Sequence, residues 1–62
     1  MYRIKEVRQG KGMNQKQLAE LAHISSPYLH DLENNRRGAK PETLQRIAIV
    51  LGTDVSELVA EG

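Results

Sequence analysis

The chain contains no cysteine, phenylalanine or tryptophan. Without cysteine, neither a disulfide nor a Cys-based zinc site can staple the fold. Tyr2 and Tyr28 are the only aromatics, β-branched residues are scattered, and no strand signal stands out. No stretch is long and apolar enough to span a membrane. Arg3, Lys5, Glu6 and Arg8 break up the start, so nothing there resembles a secretory leader. Internal repeats, low-complexity stretches and linkers are also missing. These absences point to a cytoplasmic protein.

Sixty-two residues leave room for one domain with one small core. A chain of this size buries only about 60% of the surface its unfolded form exposes. Its stability has to come from helix packing, with or without the help of a partner subunit. The net charge is +1, but the charges are unevenly placed. Residues 1–40 hold eight Lys and Arg against four Asp and Glu, a balance of +4, whereas residues 41–62 hold one against four, a balance of −3. Either the domain has a basic and an acidic face, or a solvated surface happens to sort this way.

Helix punctuation recurs along the chain. A first helix is expected over about Arg3–Lys11, with Ile4 and Val7 on one face and Gly12 as its left-handed stop. A second starts at Asn14, with Gln17 three residues on as a capping-box partner. It ends near Ala22, with Leu18, Leu21 and Ala22 as its apolar stripe. Ser25 caps a third, with Pro27 in its first turn, Leu29 and Leu32 facing inward, and Asn34 and Asn35 as stops. A fourth starts at Pro41 or Glu42, repeats Leu44, Ile47, Ala48 and Leu51 at helical spacing, and ends at Gly52. A fifth starts at Asp54 with Glu57 as its box partner and Val55, Leu58 and Val59 on its apolar side. Five short helices make an all-α domain.

Only His23 and Ile24 separate the second helix from the cap of the third. So short a joint crosses two helices at a large angle, as in a helix-turn-helix. Ala19 is the small residue needed where the helices approach. Leu18, Ile24, Leu29 and Leu32 fill the angle from both sides.

The segment MNQKQLAELAHISSPYLHDLENNRR, residues 13–37, resembles the helix-turn-helix of the Cro/C1-type repressors, also called the xenobiotic-response-element family. The resemblance rests on Gln15, Ala19, His23 and Leu29 in register, on the Leu32-Glu33-Asn34 ending, and on the trailing ETLQRIAIVLGTDVSEL. It covers about residues 3–59. It implies a five-helix phage-repressor-like domain over residues 1–62, with the helix-turn-helix at about 14–35. The family usually has Gly where His23 stands. The position tends toward positive φ, which His tolerates at some cost in stability.

The resemblance also implies roles for individual residues. Arg8 and Glu33 match positions of a partly buried ion pair, so neither is counted as a DNA contact. The third helix would lie in the major groove of double-stranded DNA. Ser26, Pro27 and Asp31 would read base edges, with Tyr28 and His30 beside them. Ser donates or accepts, Asp accepts from a cytosine amino group, and Pro offers apolar contact to a thymine methyl. Tyr28 either contacts the duplex or packs on the domain's edge. Gln15, helped by Lys16, would hold phosphate at the start of the second helix, whose N-terminus adds backbone N–H groups. Arg36, Arg37 and Lys40 follow the recognition helix and are placed to grip the DNA backbone or a minor-groove edge.

Catalysis is not expected. His30, Asp31 and Ser25 or Ser26 are the residue types of a triad, but all lie on one short exposed helix with no room for a pocket. His23 and His30, seven apart, lack a helical metal-ligand spacing. Neither metal nor cofactor is implied. The leading expectation is therefore a transcriptional regulator, a repressor from a bacterium, phage or mobile element. An antitoxin or adaptor that uses the fold to hold a protein partner is the alternative. One recognition helix reads too few base pairs to find a single site among many. A two-fold homodimer on a palindrome, paired through Val55, Val59 or Ala60, is expected.

Overall fold

In the computed structural model, which describes residues 2–59, the helices are α1 (Ile4–Gly10), α2 (Gln15–Leu21), α3 (Ser26–Glu33), α4 (Pro41–Leu51) and α5 (Val55–Leu58). The first is a residue shorter at each end than its apolar spacing suggested. Their starts are written locally. At α2 the Asn14 side chain accepts from the Gln17 N–H at 2.8 Å, and the Gln17 side chain accepts from the Asn14 N–H at 2.9 Å. At α3 the Ser25 hydroxyl accepts from the Tyr28 N–H at 3.2 Å. Pro41 opens α4, where its missing N–H has no intrahelical role.

The first four helices end in one way. In each, a residue with left-handed backbone carries the chain out of the helix, and two N–H groups reach back to orphaned carbonyls. The residues are Gly12 (φ 69°), His23 (φ 58°), Asn35 (φ 58°) and Gly52 (φ 66°). At the second exit, His23 N donates to Glu20 O at 3.3 Å and Ile24 N to Ala19 O at 3.0 Å. At the third, Asn35 N donates to Leu32 O at 3.2 Å and Arg36 N to Asp31 O at 2.9 Å. Asn34 is not left-handed (φ −95°), and its amide instead donates to the His30 carbonyl at 2.8 Å.

Two expectations need correction: Leu21, expected on the apolar stripe of α2, is exposed, and the start of α5 is capped differently. Asp54 does not build a capping box, because its side chain caps nothing. Glu57 N donates instead to the Asp54 carbonyl at 3.0 Å, as the first turn of a four-residue helix. Extended backbone is also present. Tyr2 and Val59 form an isolated antiparallel bridge, and Arg3 N donates to Leu58 O at 2.7 Å. The two ends of the domain are thereby tied together by a pairing too short to leave a strand pattern.

Every helix contributes to a single core. Ile4, Leu18, Leu29, Leu32, Ile47 and Leu58 are fully buried, with Ala19, Ala22, Leu44, Ala48 and Leu51 around them. Ala19 is 2% exposed. It sits in the packed joint between α2 and α3 that the short His23-Ile24 connection creates, and a larger side chain there would push the two helices apart. Among the described residues, no helix is long and apolar enough to cross a membrane.

Candidate nucleic-acid interface

The core fixes which side of α3 faces outward. Leu29, Leu32 and Glu33 are buried, Tyr28 and Asp31 are half-buried, and Ser26, Pro27 and His30 are exposed. The helix presents a short polar ridge beginning at its N-terminus. Of the residues expected on it, Tyr28 packs against the core, and His30 Nε2 lies 3.3 Å from the Asn34 amide. Asp31 already has a partner, Arg37, whose Nε is 3.7 Å from Asp31 Oδ2.

A buried charge cluster holds α1, the α2 start and the end of α3 together. Arg8 Nε donates to Glu33 Oε2 at 2.7 Å and Nη2 to Oε1 at 3.1 Å. The third guanidinium nitrogen, Nη1, donates to the Met13 carbonyl at 2.9 Å, in the loop entering α2. The side chains are 10% and 2% exposed. A bidentate, fully hydrogen-bonded pair of this kind is a structural element of the domain. Gln15 joins it, its Nε2 donating to Glu33 Oε1 at 3.0 Å. Gln15 is thus half-buried and held in place, with its amide oxygen turned to no partner among the described residues.

The cations around α3 are exposed: Lys16 on α2, Arg36 and Arg37 after α3, and Lys40 at the start of α4. Arg37 bends back so that its guanidinium carbon lies 5.6 Å from the centre of the Tyr28 ring. The loop carrying these arginines is clipped by Tyr2, which sequence spacing did not single out. The Tyr2 N–H donates to Asn35 Oδ1 at 2.8 Å, and its hydroxyl accepts from the Ala39 N–H at 2.8 Å. These contacts bridge 33 and 37 residues of sequence, beyond the reach of local patterning.

On the C-terminal side, Val55 is half-buried against the core, and Val59 pairs its backbone with Tyr2 while its side chain stays exposed. Ala60 lies outside the described residues. The most exposed large apolar side chain among those described is Ile49, on α4, at 77%. No group of His, Asp or Glu able to hold a metal ion occurs among the described residues.

The capped α2, the tight joint and the outward ridge of α3 define an all-α helix-turn-helix domain. The chain belongs to the helix-turn-helix family, whose model matches residues 4–58. Over 57 residues it is 44% identical to the HTH-type transcriptional regulator DdrOP3 of Deinococcus deserti, a match covering 92% of this chain and 44% of that one. It is 42% identical over 59 residues to the immunity repressor protein of Bacillus phage phi105, covering 95% and 41%. The chain therefore spans less than half the length of these relatives, which are named as regulators rather than enzymes. Among solved structures it is similar to the N-terminal DNA-binding domain of SinR from Bacillus subtilis, with a TM-score of 0.86 and 33% identity over 95% of this chain and 87% of that one.

Proposed function

We infer that this chain is a DNA-binding transcriptional regulator, a repressor, that lays the outward ridge of α3 in the major groove. The observation that carries this reading is the one-sided burial of α3: its core side is closed by Leu29, Leu32 and Glu33, Ser26, Pro27 and His30 are exposed, and Arg37 lies against Tyr28 and Asp31. Ser26, Pro27, Tyr28 and His30 are the groups offered to base edges, with Asp31 behind them. None is Arg, Asn or Gln, so the commonest bidentate contacts to guanine and adenine are missing, and DNA shape supplies part of the selectivity.

Gln15, Lys16, Arg36, Arg37 and Lys40 supply the phosphate contacts. Asn14 already caps the Gln17 N–H, so the N–H groups of Gln15 and Lys16 are the ones α2 has left for a phosphate. Two copies bind together, related by two-fold symmetry on a palindrome with half-sites about 34 Å apart. They pair through the C-terminal region, where Ile49 and Val59 are exposed apolar groups. The role is a cytoplasmic one, and the names of the relatives, a transcriptional regulator and an immunity repressor, support its regulatory part.

A salt titration of binding to a labelled duplex tests the reading. Affinity falls steeply with salt when several phosphates are neutralised. Changing Arg36 and Arg37 together to Ala weakens binding to all sequences alike and lowers the salt slope by about one for each phosphate no longer neutralised. A chain that binds no duplex at low salt is instead an adaptor for a protein partner.

A further inference from the structure

We propose that Asp31 is a positioning residue: together with the Tyr28 ring it holds Arg37 against the recognition helix, and the Arg37 guanidinium meets a backbone phosphate at the groove edge. This rests on the DNA-binding reading above and gives Asp31 and Tyr28 a role that reading does not.

The geometry is a three-part clamp. The third helix exit, with Asn35 left-handed and Arg36 N bonded to Asp31 O, turns the chain back along α3. Arg37 then lies with its guanidinium carbon 5.6 Å from the Tyr28 ring centre and Nε 3.7 Å from Asp31 Oδ2. Tyr28 and Asp31 are three residues apart, one helical turn, and so share a face of α3. Nε approaches the carboxylate within ion-pair distance. No hydrogen bond from the Arg37 guanidinium occurs among the described residues, and the Arg37 side chain is 61% exposed. Arg36, one residue earlier, is exposed and makes no ion pair among the described residues. The two adjacent arginines are therefore unequal: one is aimed, the other free.

Two physical arguments favour positioning over direct readout by Asp31. Its carboxylate is only 34% exposed and already faces a cation, so contact with a cytosine would require that pairing to break. An unpaired carboxylate beside a recognition helix also repels phosphate, and Arg37 cancels that charge while its side chain stays largely exposed. A weak exposed ion pair and the ring beneath it together bias the long Arg37 side chain toward one geometry, and holding it there removes an ordering cost at binding.

The test is a double-mutant cycle read as duplex affinity. The probe is a duplex that the unaltered chain selects from a random pool, together with its single-base-pair substitution panel. Removing a negative charge should by itself strengthen binding to DNA. If Asp31 positions Arg37, Asp31→Asn weakens binding instead, by about threefold to tenfold, equally across the panel. In an Arg37→Ala background the same change causes no further loss. Tyr28→Ala, which removes the ring, shares the loss and its coupling to Arg37. An unchanged thermal midpoint for Asp31→Asn excludes misfolding as the cause. The proposal is overturned if Asp31→Asn strengthens binding, or if its loss is confined to one base-pair position and persists without Arg37. Failure of the unaltered chain to select any duplex would overturn the DNA-binding reading itself, and this proposal with it.

Discussion

Arg8 and Glu33, 25 residues apart in sequence, meet in a buried bidentate pair that also receives the Gln15 amide. The pair sets where α2 begins relative to where α3 ends, because Arg8 holds the Met13 carbonyl as well. Removing one partner leaves the other charge buried alone. Glu33→Ala is expected to cost about 3–5 kcal/mol, against roughly 3–9 kcal/mol of total stability for a chain of this size. Urea unfolding measures the loss. Replacing both residues with apolar side chains of similar volume should recover most of it, and a loss below about 1 kcal/mol for Glu33→Ala would contradict the structural role.

His23 carries the α2–α3 joint with φ at 58° and an exposed side chain. For a residue with a Cβ, that conformation costs roughly 1–2 kcal/mol, which glycine avoids at some loss of unfolded-state entropy. His23→Gly should therefore stabilise the domain by about 0.5–1 kcal/mol. A thermal melt would show a rise of roughly 2–8 °C. A fall in the midpoint would mean that the imidazole makes a contact outweighing the strain.

Tyr2 closes the loop that carries the arginines by accepting from the Ala39 N–H. Tyr2→Phe deletes the acceptor and keeps the ring. The expected cost is about 0.5–1.5 kcal/mol, together with faster hydrogen exchange at the Ala39 amide. Exchange unchanged at Ala39 would show that the hydroxyl does not hold the loop.

Much of the fold was legible because its signals are local. The Asn14-Gln17 box, the Ser25 cap, Pro41 at a first turn and Gly52 at an exit each act within a few residues. Arg8 and Glu33 were matched by resemblance, since no spacing rule joins residues so far apart. The contacts made by Tyr2 and the bridge to Val59 left no trace, being single long-range pairings. Asp31 stood out as an exposed carboxylate on a recognition helix. The fold of Arg37 back onto it depends on the left-handed Asn35 exit, which sequence marked only as a choice between two asparagines.

Pairing of two chains on one palindromic duplex is expected from the reach of a single short recognition helix. Sedimentation with a saturating palindromic duplex should give two protomers per duplex, and Ile49→Lys should lower that ratio or the cooperativity of binding. One protomer per duplex at saturation would refute the two-fold arrangement.

The central claim is that the outward ridge of α3 is the DNA-reading surface, and amide chemical-shift mapping tests it most directly. On titration with a duplex selected from a random pool, the largest changes should fall on Gln15 and Lys16, on Ser26 and Tyr28 through Asp31, and on Arg36 and Arg37. Smaller shifts around Ile49, where the two copies pair, should accompany them. Changes centred on Ile49, Val55 and Val59 with α3 silent, or no changes at low salt, would contradict the account.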